Sequence, residues 1–227
     1  MTEPPTLRDV RDRRRADRES GRSRPDHLTT IVEATERILA DTPFHKVTID
    51  QIIAEAGISR GTFYAYFSSK GEVVAELLGR IMQQMYGLLD PLLVEVVEGE
   101  ANESRRPALT AVLNESAALW TLHRPVFHAT HDNWHSTPEL RVKWLDLVEQ
   151  FTEAIAARLL SGSHCDEAAT HKARQRSAAL LWASEHLLYL AGTDADADLR
   201  SEDDIVETLV LMWEGTLFGG SDPGLNP

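Results

Sequence analysis

The chain of 227 residues has one cysteine, Cys165, no run of 18 apolar residues and no glycine-rich phosphate loop. Each absence excludes something. A single thiol cannot form an intrachain disulfide, which suits a reducing compartment. Without a long apolar run there is no transmembrane helix, and the arginine-rich start lacks the apolar core of a secretion signal. The expectation is a soluble, cytoplasmic protein with no membrane partner, and a bacterial cytosol fits best. No nucleophile elbow is present, and Cys165 has only His164 beside it, so no catalytic constellation is left; the chain reads as a non-enzyme without a cofactor. The carboxylates are patterned as solvated helix faces. Strand-like alternation is scarce and no internal repeat is visible, which points to an all-α fold.

The charge is unevenly placed. The net charge is −13, yet residues 1–25 hold 8 Arg against 5 acids, residues 26–70 hold 4 basic and 6 acidic residues, and residues 71–227 hold 11 basic and 25 acidic residues. Acidity on this scale repels nucleic acid, but it belongs almost wholly to the last part, so the first part is free to be locally positive. With 42% hydrophobic residues the chain can bury a sizeable core. Its length suits a small head and a larger second domain. The division expected is an Arg-rich arm at 1–25, a head at 26–70, a body at 71–220 and a tail at 221–227.

The stretch 47–67, VTIDQIIAEAGISRGTFYAYF, carries the sharpest local signals. Ile49, Ile52, Ile53 and Ala56 recur at helical spacing and form one apolar stripe. Thr48 and Gln51 have capping-box spacing. Gly57 sits where a helix stop needs positive φ, and Ser59 is placed to cap a second helix. Phe63 and Phe67, four apart, share the strip that packs inward on Ile52 and Ala56. The outward residues are of another kind: Arg60, Gly61, Tyr64 and Ala65 on one arc, Thr62 and Tyr66 on another. Two helices around a tight Gly-containing turn match the helix-turn-helix, whose second helix enters the major groove of DNA. Arg60 is the candidate base reader, because its planar fork matches O6 and N7 of guanine. Thr48, Ser59, Thr62, Tyr64 and Tyr66 offer hydroxyls suited to phosphates, and Lys70 adds a charge. A helix from Asp26 to before Pro43, with Leu28, Ile31, Val32, Thr35, Ile38 and Leu39 on one face, completes a three-helix head.

The segment from Thr48 to Lys70 resembles the tetracycline-repressor (TetR) family of bacterial regulators. Thr48, Ile52, Ala56, Gly57, Ser59, Gly61, Thr62, Tyr64, Tyr66, Phe67 and Lys70 stand at matching places. Two departures are visible: Ile53 replaces the usual alanine, and Gly71 lies in the first turn of the next helix, where Ala would favour the helix by about 1 kcal/mol.

Ser69 and Glu72 suggest a second capping box, opening a long helix through Val73, Val74, Leu77, Leu78, Ile81 and Met85 that Pro91 kinks or ends. Further helices are expected at 104–122, 124–133, 138–161, 166–192 and 202–219, the third opened by Thr137 and Pro138 in N-cap and N1 order. All five tryptophans lie in this part. Trp120, Trp134, Trp144, Trp182 and Trp213, with Phe127, Phe151, Tyr189, Leu181 and Met212, are candidates to line an apolar cavity of the kind that takes small molecules, although bulky aromatics are as readily plain core. Residues 179–192 and 205–219 are similar to the last two helices of the ethionamide-repressor branch of the family. That likeness implies ligand contacts from Trp182, Ser184, Glu185, Tyr189 and Trp213. It also implies a homodimer built by pairing these helices across a two-fold axis, for which Ile205, Leu209, Val210, Trp213 and Leu217 are the apolar residues at hand.

His128, His131, Asp132 and His135 recur at i, i+3, i+4 and i+7, a pattern that would place metal-ligand or pH-sensing chemistry on one helix face. It matches no known metal motif, and no metal is expected. The function expected is a TetR-like regulator, a repressor that binds double-stranded operator DNA of palindromic sequence as a homodimer and is released by an apolar effector. The alternatives are a metal- or pH-sensing regulator acting through the histidine cluster, and an effector-independent DNA-binding protein. In the arm, expected to be disordered, Arg13, Arg14, Arg15, Arg22 and Arg24 are candidates to reach the minor groove or phosphates beside the head, a merely solvated tail being the alternative of equal weight. Removal of residues 1–25 is therefore expected to weaken DNA binding and flatten its salt dependence. An unchanged salt slope in the truncated protein would leave the arm with no part in DNA contact.

Overall fold

The computed structural model describes residues 26–98, 102–160, 166–191, 193, 196–199 and 201–217, with side chains for all but 88–98, 102–104 and 217. The arm, the Cys165 and His164 pair and the tail lie outside the described residues. Among those described there are nine α-helices, two short 3-10 turns and no strand.

The head is built from α1 (His27–Asp41), α2 (Ile49–Ala56) and α3 (Arg60–Tyr64). Asp26 starts α1: its carboxylate accepts from the Thr29 N–H and, at 2.6 Å, from the Thr29 hydroxyl. Ile31, Val32, Ala34, Thr35 and Leu39 are buried along one face of α1. The expected capping box on α2 is complete, with Thr48 Oγ1 accepting from the Gln51 N–H and Gln51 Oε1 accepting from the Thr48 N–H at 2.8 Å. Gly57 ends α2 with φ 64° and ψ 34°. A Cβ there would meet nothing within 4 Å, so the backbone conformation, not crowding, calls for glycine. Ile52 and Phe63 are fully buried and Phe67 nearly so, while Ile53 packs at the edge of the same core.

Helix α4 (Lys70–Glu98) is the longest, at 29 residues, and Pro91 does not end it. The Ser69 hydroxyl accepts from the Glu72 N–H at 3.1 Å, but Glu72 reaches back to the Ser68 N–H rather than to that of Ser69. The body continues with α5 (Asn102–Leu122), α6 (Arg124–Asn133), α7 (Pro138–Leu159), α8 (Glu167–Ala191) and α9 (Glu202–Leu217). Pro138 occupies the first turn of α7 as expected, yet the Thr137 hydroxyl makes no capping bond. Helix α4 packs on α5 and α7, α7 on α8, and α9 on α5 and α8, while α1 rests on α4 and α6. No helix among the described residues is long and apolar enough to cross a membrane.

Head and body meet at three polar contacts. Ser69 Oγ donates to Glu139 Oε1 at 2.6 Å, Arg80 to the Thr29 hydroxyl at 3.2 Å, and His123 Nδ1 lies 2.7 Å from Glu36 Oε1. Gly71 explains itself here. A Cβ at this position would fall 2.8 Å from Thr137 Cγ2 and 3.3 Å from Glu139 Oε2, so the Thr137 and Glu139 side chains at the start of α7 occupy the space that a side chain here would need. Gly71→Ala is thus expected to destabilise the protein by about 1–2 kcal/mol, since overpacking outweighs the gain in helix propensity. The double variant with Thr137→Ala should recover most of that loss in denaturant melts, because the threonine hydroxyl caps nothing.

Candidate nucleic-acid interface and internal cavity

The second helix of the turn presents its polar residues outward. Ser59, Arg60, Gly61, Tyr64, Ala65 and Tyr66 are exposed, and Thr62 is half-buried. Tyr64 and Tyr66 stand 49% and 46% exposed, unusual for tyrosines bordering a core that buries Phe63 and Phe67. The geometry behind this is short. Helix α3 ends at Tyr64, and the turn through Ala65 and Tyr66 swings Phe67 inward while leaving both phenols outside. The Ser59 hydroxyl accepts from the Thr62 N–H at 3.0 Å and lies 2.8 Å from the Thr62 hydroxyl, so both hydroxyls also serve the cap. Gly61 lowers this face: a Cβ there would meet only Ser59 Oγ, at 3.7 Å, so nothing within the head requires its absence.

Two features of the face were not legible beforehand. Arg60 is ion-paired with Asp50 from the first turn of α2, both side chains being mostly exposed. Such pairs contribute about 0–1 kcal/mol, so an outside partner can displace the carboxylate at little cost. Lys70 points back into the head: Nζ donates to the Phe44 carbonyl at 2.8 Å and the Val47 carbonyl at 2.7 Å, and sits 4.5 Å above the Phe44 ring. Burial lowers its pKa. A phosphate at Lys70 would therefore compete with backbone carbonyls of the 3-10 turn Phe44–Lys46.

Inside the body is a cavity of about 100 Å³. Trp120, Phe127, Trp144, Phe151, Ser184, Glu185 and Trp213 line it, as does Leu181. Trp120 stacks on Phe127 with centroids 4.1 Å apart, and Trp213 Nε1 donates to Ser184 Oγ at 2.9 Å. Trp134, Trp182 and Tyr189, expected to line the cavity as well, are not among its walls. Trp182 lies between the other two indoles, 6.0 Å from Trp134 and 6.3 Å from Trp144, and Tyr189 turns toward the histidines of α6. Met212 is exposed. Unforeseen walls come from α4, which contributes Met82 and Met85, and from Ser116 on α5. The three-residue spacing of the two methionines on an amphipathic helix was the available signal, but it reads equally as core.

The histidine cluster is only partly assembled. Helix α6 ends at Asn133, so His135 lies beyond the helix and packs on Trp134 at 3.7 Å instead of joining the others. His131 Nδ1 is 2.7 Å from Glu185 Oε1, and Asp132 accepts from the Tyr189 hydroxyl at 2.8 Å. The Glu185 hydrogen bond raises the pKa of His131, whereas burial lowers that of His128, whose Nε2 is buried without a partner. Tyr189 is pushed up to about 12 by burial and by Asp132. The two histidines act oppositely on stability. The pairing of His131 contributes fully at low pH and is lost as pH rises through its raised pKa; burial of neutral His128 favours the fold at higher pH and is lost as pH falls.

The four α9 residues expected at a dimer surface, Ile205, Leu209, Val210 and Trp213, are buried within the chain itself. The side chain of Leu217 lies outside the described residues. Exposed apolar groups on α9 are Leu211, at 54%, and Met212.

Comparison with known proteins follows the same division of the chain. Residues 31–77 match the model for bacterial regulatory proteins of the tetR family, and residues 109–219 match that for the C-terminal domain of the transcriptional regulator EthR. The HTH-type transcriptional regulator EthR of Mycobacterium tuberculosis is 27% identical over 208 residues, which are 91% of this chain and 92% of the relative. A putative TetR-family transcriptional regulator from Syntrophomonas wolfei has the same fold, with a TM-score of 0.68 at 13% identity, covering 88% of this chain and 98% of its own. The regulator FadR from Bacillus subtilis, solved in complex with stearoyl-CoA, gives 0.56 at 18% identity, covering 80% and 97%. With the helix-turn-helix in the first match and most of the cavity wall, though not Met82 and Met85, in the second, the chain belongs to the tetR family of bacterial regulatory proteins and is a DNA-binding transcriptional regulator.

Proposed function

We propose that this regulator is a cytoplasmic repressor, that it holds a palindromic operator as a homodimer, and that an apolar small molecule entering the cavity releases it. The observation that carries this reading is the placement of Met82 and Met85. They line the cavity from α4, the helix whose first turn is fastened between head and body. A cavity of about 100 Å³ is smaller than the roughly 300–1,000 Å³ of ordinary ligand sites. An effector must therefore displace wall side chains, and methionines, being flexible, yield first. Displacement at Met82 and Met85 bears on α4, and a tilt of α4 moves the head. Such a ligand shifts the population only by binding the released state more tightly. The stearoyl-CoA complex of FadR supports a ligand with a long apolar chain.

On DNA, Arg60 exchanges Asp50 for a guanine, and Thr48, Ser59, Thr62, Tyr64 and Tyr66 contact phosphates, while Gly61 and Ala65 let the backbone come close. Lys70 stands at the edge of this surface, where it steadies the 3-10 turn. The functional division is residues 26–70 for DNA and 71–220 for ligand and dimer contacts, with α4 crossing the boundary. For the dimer, Leu211 and Met212 offer the exposed apolar surface on α9 that a second copy would cover.

Arg60→Ala is expected to relax preference at one base pair per half-site, at a cost of about 1–3 kcal/mol, when bound DNA is selected from a random pool; Tyr64→Phe should weaken binding evenly across sequences. An unaltered base preference in Arg60→Ala removes that residue from the reading role. For the effector, long-chain apolar compounds are expected to raise the melting temperature and dissociate the operator together. A compound that stabilises the protein while leaving the operator bound would contradict the coupling through α4.

A further inference from the structure

We propose that His131, Glu185 and His186 form a site for one divalent transition metal ion, zinc in the first instance, on the seam between α6 and α8. One donor atom from each residue lies within 4.8 Å of the other two. Two imidazoles and one carboxylate are a donor set suited to zinc, with a fourth position left to water. His131 and Glu185 account for each other as an ion pair, 2.7 Å apart. His186 is not explained by that pair, yet it brings a third donor to the same point, 5.6 Å from His131 between ring centroids.

The surroundings orient these donors. The Tyr189 ring stacks on His131 at 3.8 Å and lies at 6.2 Å from His186, within 21° of parallel to both imidazoles. Asp132 fixes the Tyr189 hydroxyl and adds a second negative charge beside Glu185. Zinc bonds of about 2.0–2.2 Å place donors roughly 3.3 Å apart, so donors that lie within 4.8 Å of one another are to close inward on an ion, with His186 as the side chain free to move. That closure needs only a rotamer adjustment, since His186 is exposed. The ion takes the place of the proton on the His131 nitrogen that faces Glu185. Binding therefore releases a proton and weakens as pH falls. The residues differ from those the sequence spacing suggested: His131 remains, His135 is elsewhere, and His186 enters from another helix. Because Glu185 also lines the cavity, a bound ion would tie α6 to α8 at the cavity wall.

The test uses the full chain, stripped with a chelator, then titrated with zinc in a calorimeter and with cobalt(II) in a spectrophotometer. One ion per chain is expected, together with visible cobalt bands of low coordination number and a zinc-dependent rise in melting temperature. His186→Ala, an exposed change that leaves the fold intact, should weaken zinc by about tenfold or more and abolish the cobalt bands, as should His131→Ala. His171→Ala, at an exposed histidine elsewhere on α8, should change neither. Absence of saturable binding, or equal zinc affinity in His186→Ala and the unaltered chain, overturns the proposal.

Discussion

A single helix, α4, carries one continuous apolar core from the head into the body, and the arrangement of the molecule follows from that continuity. At 29 residues it is about 44 Å long. Its start packs against α1 of the head, and its middle supplies Met82 and Met85 to a cavity in the body. A rod packed along the whole of that core cannot adjust at one end without being felt at the other. The absence of a side chain at Gly71 matters for this reason. It leaves room for the Thr137 and Glu139 side chains against the first turn of α4, beside the bond between Ser69 and Glu139.

The local features were legible because they rest on interactions three or four residues apart. The Thr48 and Gln51 capping box, the left-handed Gly57, the Ser59 cap and the inward Phe63 all follow from spacing and side-chain chemistry, and they define the helix-turn-helix without reference to the body. The boundaries of the later helices were close for the same reason. Of the two outcomes expected at Pro91, an end to the helix does not occur: proline's local cost is about 3 kcal/mol and the helix continues past it.

What was not legible depended on contacts distant in sequence. Gly71 looked like a defect in a helix until Thr137 was placed against it. Lys70 looked like a phosphate contact, and its carbonyl partners lie 23 and 26 residues away. Three of the eight aromatics expected in the cavity wall, Trp134, Trp182 and Tyr189, face elsewhere, because composition names which residues are apolar and not which way each faces. Trp134 and Trp182 pack on each other beside the cavity instead of within it. The histidine spacing assumed a helix that stops at Asn133, which removed His135 and left room for His186 from another helix. The apolar residues of α9 illustrate the same limit: Ile205, Leu209, Val210 and Trp213 serve the chain's own core.

The stacked Trp120, the Trp144 edge and the hydrogen-bonded Trp213 make the cavity wall intrinsically fluorescent. Indole emission shifts with the polarity of its surroundings, and three of the five tryptophans in the chain border one small apolar space. Trp213 is further constrained by its bond to Ser184, so a guest that breaks this bond changes the ring's excited-state environment as well as its contacts. Any guest in this cavity would thus be reported by the protein's own tryptophans, with no label required.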